Sequence, residues 1–404
     1  MRIFILTMFI MLGIGLTACK NGEIEDDDFD YSPFPYYEED YENLTYHFDD
    51  ETLGRPFWKG NVIYNETVLL TKDGEIMSGK LLFPVAKLLS VRDYTLDIEY
   101  IENVDFKIEG NEIIGLKDSL PHLTTNQLMG EDIPEPYRLV NSISNVLTDY
   151  MMMGPNVIYT ESPFWYSNQL SVSYVYDVRE LDLSQFPSYD VSKMPNTMNK
   201  LTNGETVRIT AIGDSVLEGL SSSGSFNRAP FMPNFMELTQ QYLADHFNTE
   251  VILNNKSVGG TQSSYGSNSN TLHQVSQTNP DLVFIHFGIN DNGGGISPNM
   301  YRDNIELMIL TLKQNLPDVE IILLNAIQPN PAAYDSMRFE QYFSRMERLE
   351  AAYDYVKIID LYSLSEYFMK TKTYHDMTGN GINHVNDYSA RLYLMSILAT
   401  IIEN

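Results

Sequence analysis

From about residue 205 to the C-terminus, short and nearly unbroken apolar runs alternate with segments of helical spacing. The runs are VRITAI (207–212), EVILNNKSV (250–258), DLVFIHFG (281–288), VEIILLNAI (319–327) and VKIIDL (356–361). Between and after them lie PNFMELTQQYLADHF (233–247), MYRDNIELMILTLKQNL (300–316), MRFEQYFSRMERLEAAY (337–353) and DYSARLYLMSILATII (387–402). A strand that is apolar on both faces has to be covered on both sides, which in an alternating β/α chain means a parallel sheet between helices. The expected fold is therefore α/β, a three-layer sandwich with a mainly parallel sheet. Ligands of such sheets bind beyond the carboxyl ends of the strands.

The preceding part reads differently. Residues 51–200 hold short β-branched or aromatic runs, VIYNETVLLT, KLLFPV, YTLDIEYI, VDFKI, NEIIGL and QLSVSYVYD, punctuated by Gly, Asn, Asp and Pro. KDGE at 72–75 is a hairpin turn by composition. The expectation is a β-rich sandwich or jelly-roll-like accessory domain, joined through a linker at 181–204 to a catalytic unit at 205–404.

The first residues constrain location. MRIFILTMFIMLGIGLTACK has one basic residue, Arg2, and an apolar stretch ending at Leu16, short for a spanning helix of about 20 residues. Leu16-Thr17-Ala18-Cys19 resembles a bacterial lipobox, and Cys19 is the one cysteine in the chain, so disulfides and cysteine metal sites are excluded. The expectation is a signal peptide at 1–18 and membrane attachment through lipidated Cys19, on the extracellular face. Residues 19–50 read as an acidic tether: from Lys20 to Asp50 there are twelve acids and a single lysine. With a net charge of -29 overall, a nucleic-acid partner is excluded, because phosphate binding needs clustered Lys and Arg.

Four polar or glycine-rich clusters follow strands or precede the last helix. They are Gly213-Asp214-Ser215, Lys256-Ser257-Val258-Gly259-Gly260-Thr261, Gly288-Ile289-Asn290-Asp291 and Gly381-Ile382-Asn383-His384. A parallel sheet brings the first three to one rim. A serine hydroxyl needs a base to take its proton and donors to hold the oxyanion formed on attack. Ser215, His384, the amide of Gly260 and the side chain of Asn290 are the groups that meet those needs.

In this order the four blocks resemble the SGNH, or GDSL-like, hydrolase family over roughly residues 205–404. The resemblance implies Ser215 as nucleophile, Gly260 and Asn290 with the Ser215 amide as oxyanion donors, and His384 in GINHVND as base. G-x-S-x-G, the elbow of the α/β-hydrolase class, is missing around Ser215. The family's Asp three residues before the histidine is also missing, for that position is Gly381. Asp376 is the nearest upstream carboxylate and the candidate third member. Asn380 could orient the ring without supplying charge, and a backbone carbonyl would leave a Ser–His dyad.

Among the other polar residues, His286 is expected to pack beneath the site, and His375 to lie at the surface or touch substrate. Asp214 and Asp291 are expected to brace their loops, and Asp387 to cap the last helix. No metal pattern such as H-E-x-x-H occurs, and nothing calls for a metal or organic cofactor. The resemblance implies acyl-ester hydrolysis on an acylated small molecule or acetylated glycan. A surface carbohydrate esterase or deacetylase is the first reading, with PFWYSN (163–168) as a candidate aromatic sugar surface. The alternatives are a lipase or short-chain esterase, and a non-catalytic glycan-binding protein, a reading prompted by Gly381.

Overall fold

The computed structural model describes residues 29–142, 144, 147–220 and 222–403. The leader and Cys19 lie outside them. Five strands make a wholly parallel sheet in the order Val251–Asn255, Val207–Gly213, Leu282–His286, Glu320–Leu324, Val356–Ile359. The first strand in sequence sits second in the sheet. The chain leaves it in one direction and returns on its other side, and the crevice at such a reversal is where ligands bind. Gly213 ends this strand against its neighbour, and a Cβ there would stand 2.4 Å from the carbonyl oxygen of His286. Helix Phe235–Phe247 packs beside Asp387–Ile401, and Pro298–Asn315 beside Ser336–Ala352.

The last helix explains how the two halves join. Residues 388–401 are buried throughout, the mark of a helix covered on every side. It touches strand Val356–Ile359 of the parallel sheet and strand Val62–Leu69 of the N-terminal region. Arg391, within it, donates to the carbonyls of Leu53 and Tyr64 at 2.9 and 2.8 Å. One hydrophobic core runs from Phe57, Trp58 and Tyr174 through to Phe368, Tyr388 and Leu392.

The N-terminal region is β-rich, as its composition predicts, yet its strands form three small sheets rather than the two facing sheets of a jelly roll. Val62–Leu69, Gln169–Val175 and Lys87–Asp93 pair antiparallel, with the second in the centre. Five short strands between residues 71 and 124 make another, in which Gly74 (φ +59°) turns the hairpin at 72–75. Val157–Tyr159, Asp149–Gly154 and Arg138–Leu139 make the third. Strands as short as these bury their faces against the catalytic half more than against one another. Val62–Leu69 and Gln169–Val175 are buried at every position.

The acidic stretch and the linker are likewise tied down where described. Phe34 is buried, and the ring of Phe48 lies 4.8 Å from the guanidinium of Arg391. In the linker, helix Pro195–Thr202 sets the amides of Asn196 and Thr197 on the Glu320 carboxylate at 2.7 and 2.8 Å, a helix N-terminus satisfied by an anion.

Candidate active site

Ser215 opens a single helical turn, Ser215–Glu218, directly after the central strand. Asp214 caps that turn, accepting the Val216 N–H at 3.1 Å, and its other neighbour is the imidazole of His286 at 3.2 Å. His286 is wholly buried and reaches the Tyr393 hydroxyl at 3.3 Å on its far side. It thus braces the nucleophile turn from below, as expected. His384 arrives from the loop before the last helix, and its Nε2 lies 3.0 Å from Ser215 Oγ.

Behind His384 stands a residue the sequence reading did not include. The carboxylate of Glu161, two residues past strand Val157–Tyr159, lies 3.1 and 3.3 Å from His384 Nδ1. Glu161 also accepts from the Tyr159 hydroxyl and from Asn380 Nδ2, each at 3.0 Å. Burial pushes its carboxyl upward, but the facing His384 and these donors outweigh burial and leave it below the ordinary carboxylate range. The main chain is held too: Thr160 N–H donates to Asn380 O at 3.1 Å, and Arg228 donates to Glu161 O at 2.9 Å.

Asp376 does not face the histidine. Its carboxylate accepts the Leu69 N–H at 2.7 Å, the Thr373 N–H at 2.7 Å and the Thr373 hydroxyl at 2.9 Å. It closes a capping box on a short 3-10 turn and pins strand Val62–Leu69. Nor does Asn380 orient the ring directly. Its side-chain oxygen accepts the N–H groups of Ile382, Asn383 and His384 at 3.1, 3.0 and 2.9 Å, while its nitrogen holds Glu161. Gly381 has φ +88°, and a Cβ there would lie 2.0 Å from the Ile158 carbonyl oxygen and 2.5 Å from Trp165 Nε1. The N-terminal segment occupies the space a side chain at 381 would need, and the same segment delivers Glu161.

The candidate oxyanion groups lie on the two neighbouring loops. In the first, Val258 N–H donates to Gly213 O at 3.0 Å and Gly259 N–H to Glu218 at 2.6 Å. This folds the glycines over the nucleophile turn, where a Cβ on Gly259 would approach the Ser215 Cβ to 3.5 Å. Gly260 has φ +75°, and the amides of Ser215 and Gly260 meet no acceptor among the described residues. Asn290 follows Gly288 (φ +128°) in the second loop and spends one amide hydrogen on Thr261 O at 3.0 Å. Asp291 joins the loops by accepting the Ser263 N–H at 2.9 Å; burial raises its carboxyl.

Three further expectations are corrected. Asn386, not Asp387, caps the last helix, accepting the Ser389 N–H at 3.0 Å. Asp387 instead accepts the Ser223 N–H at 2.8 Å, tying down the loop at 222–232. His375 is neither free at the surface nor turned toward Ser215, but stacks on Trp165 with centroids 4.9 Å apart. In PFWYSN, Phe164 and Trp165 are buried in a small core with Leu69, Leu123 and Ile158, because three short sheets leave no other place for their apolar area. Only Tyr166 of its aromatics reaches a cavity. That cavity, of about 290 Å³, lies beside His384 and Glu161, between the N-terminal strands and the 222–233 loop.

Residues 211–391 match the GDSL-like Lipase/Acylhydrolase family and form a domain of that family. Among solved structures, the chain is similar to an α/β hydrolase enzyme from the metagenome of Lake Arreo, Spain. The identity is 18%, covering 48% of this chain and 94% of that one, with a TM-score of 0.40. It is similar to a two-domain esterase active on acetylated mannans, co-crystallized with mannopentaose, at 17% identity over 53% of each chain and a TM-score of 0.41. A mutant of an acetyl-xylooligosaccharide esterase from Geobacillus Stearmophilus is similar at 18% identity, over 49% of this chain and 95% of that one, with a TM-score of 0.41. No curated protein matches the chain in sequence.

Proposed function

We propose that this chain is a serine hydrolase that cleaves acyl esters through an acyl-enzyme, with Ser215 as nucleophile, His384 as base and Glu161 as the acid. The observation that carries this reading is the continuous relay from Ser215 Oγ to His384 Nε2 at 3.0 Å and from His384 Nδ1 to Glu161 at 3.1 Å. The family match at 211–391 supports it.

In this mechanism His384 Nε2 takes the hydroxyl proton as Oγ attacks the ester carbonyl carbon. Glu161 accepts the Nδ1–H, which fixes the tautomer that leaves Nε2 free and stabilises the imidazolium that forms. The amides of Ser215 and Gly260 and the free amide hydrogen of Asn290 are the donors for the tetrahedral oxyanion. The imidazolium then protonates the departing alcohol. Water, deprotonated by His384, attacks the acyl-enzyme, and the carboxylic acid leaves as Oγ regains its proton.

Gly381, which prompted the non-catalytic reading, has its explanation in the Glu161 substitution. Substrate is the finer part of the proposal: an acetylated carbohydrate, cleaved outside the cell by an enzyme anchored through lipidated Cys19. Metabolic palmitate labelling that persists in Cys19→Ser would end the anchoring part. The chemistry is tested by Ser215→Ala, which should lower turnover of 4-nitrophenyl acetate by roughly 10⁵–10⁶-fold and abolish fluorophosphonate labelling. A folded variant that keeps near-normal turnover would sink the assignment.

A further inference from the structure

The cavity beside the relay is built from both halves of the molecule. Asn65 and Thr67 of strand Val62–Leu69 face the 222–233 loop and the start of the last helix across it, with His384 and Glu161 at one end. The strand is irregular at this point. Its register against Gln169–Val175 slips between Ile63 and Glu66, and Asn65 takes φ +51°. A bulge of this kind re-aims a side chain. Asn65 Oδ1 is occupied by the hydroxyls of Ser173 and Tyr46, at 3.1 and 3.2 Å. Its Nδ2 has no partner.

It shares that state with other residues around the cavity. Thr67 Oγ1, Tyr166 Oη and Tyr388 Oη are also buried without a hydrogen-bond partner among the described residues. Asn65, Thr67 and Tyr388 are 7%, 7% and 3% exposed. A buried polar group left unpaired costs about 1–3 kcal/mol, so four around one space are a debt that a hydroxylated occupant removes. The remaining wall is largely apolar and aromatic, including Tyr94, Phe226 and Phe231. Arg228 holds that wall in place, its guanidinium 4.8 Å from the Phe226 ring and 5.3 Å from the Tyr166 ring.

We propose that this cavity binds one neutral pyranose ring, the alcohol part of the ester that Ser215 attacks. The proposal rests on the ester-hydrolase reading above. A fatty acyl chain would leave all four polar groups unpaired. An anionic ligand would meet Asp50, Glu161 and Asp387, while the one lining cation, Arg391, is spent on the carbonyls of Leu53 and Tyr64. A ring with equatorial hydroxyls and apolar faces matches both features of the wall. The volume, about 290 Å³, is at the lower end of small-molecule pockets and suits a single ring.

The test is ligand-detected NMR with methyl β-D-glucopyranoside, methyl β-D-xylopyranoside and decanoate, on the wild type and on the double variant Thr67→Val with Tyr388→Phe. Both substitutions remove hydroxyls that bond nothing in the protein, so folding should persist. At least one pyranoside should bind the wild type, with its Kd raised about tenfold or more in the double variant. In parallel, kcat/KM for the acetylated form of that pyranoside should fall about tenfold relative to 4-nitrophenyl acetate. Absence of pyranoside binding, an unchanged Kd in the double variant, or displacement of the sugar in favour of decanoate would each overturn the proposal. Failure of the hydrolase reading would look different: Ser215→Ala would turn over ester like the wild type, whatever the sugar does.

Discussion

Ser215 and His384 are held by large regular elements, one after the central strand of a five-stranded parallel sheet and the other before a fifteen-residue helix. Glu161 is held by almost nothing of that kind. It follows a three-residue strand at the edge of a small sheet, and its place is set by Asn380, Tyr159 and Arg228. Parallel strands deliver their following loops to one rim whatever their order in the chain, so a nucleophile and its oxyanion donors converge by topology alone. The acid has no such guarantee. It is positioned by contact with the very loop it serves, and the two regions therefore have to be folded together for the relay to exist.

The largest expected effect separates the two candidate acids. Glu161→Gln keeps the shape and removes the charge behind His384, and should lower kcat by roughly 10⁴-fold, the scale for a triad acid changed to its amide. Asp376→Asn should leave kcat per folded molecule near the wild-type value while costing about 1–3 kcal/mol in stability, because the Leu69 and Thr373 donors lose a charged acceptor. Steady-state kinetics beside urea unfolding checks both. The reverse pattern, with kcat falling in Asp376→Asn and surviving in Glu161→Gln, would return the role to the C-terminal half.

The second prediction asks whether the halves unfold as one. Lys372 Nζ and the Glu66 carboxylate form a fully buried ion pair between them, and Glu66 also accepts from Leu82 N–H at 2.9 Å and Tyr174 Oη at 2.6 Å. Lys372→Ala strands a buried carboxylate and should cost about 3–5 kcal/mol. Trp58 and Trp165, the two tryptophans, both lie in the N-terminal region. Their fluorescence should therefore be lost at the same urea concentration as ester turnover, and both midpoints should shift together in the variant. Turnover that outlasts the fluorescence change would show the C-terminal half working alone.

This contrast also explains what the amino-acid sequence reveals. The parallel sheet is legible because each strand is an unbroken apolar run and each helix has its own period, so the information is local. Ser215, Gly260, Asn290 and His384 are legible because each sits in a short block at a strand or helix end. Glu161 is 223 residues from His384 and is one acid among 55 acidic residues. Nothing local distinguishes Thr160-Glu161-Ser162 from other polar breaks between strands. The available signal was negative: Gly381 stands where an acid was expected, which means that something from outside fills the space and supplies the charge. Asp376 was attractive only because it is near in sequence, and proximity along the chain is a poor guide where a 3-10 turn directs the carboxylate back to its own backbone. The jelly-roll expectation failed for a related reason. Strand content can be read locally, but the partner of each strand cannot, and these strands found much of their burial on the other half.

The smallest effect concerns the seam between the regions at the cavity. Burial raises the Asp387 carboxyl to about 6, against the opposing pull of the Ser223 donors and Arg391. A carboxyl whose folded value is raised binds its proton more tightly when folded. Its contribution to stability is therefore complete below pH ~4 and is lost as pH rises through about 6. Asp387→Asn keeps an oxygen for the Ser223 N–H without the ionisation. The variant should match the wild type in Tm near pH 4 and exceed it by the equivalent of about 2 kcal/mol or less at pH 8. A Tm difference that does not change between those pH values would mean that Asp387 titrates as an ordinary surface carboxylate. The seam would then be open to water, and the loop at 222–232 would be held by Ser223 and its neighbours rather than by a buried acid.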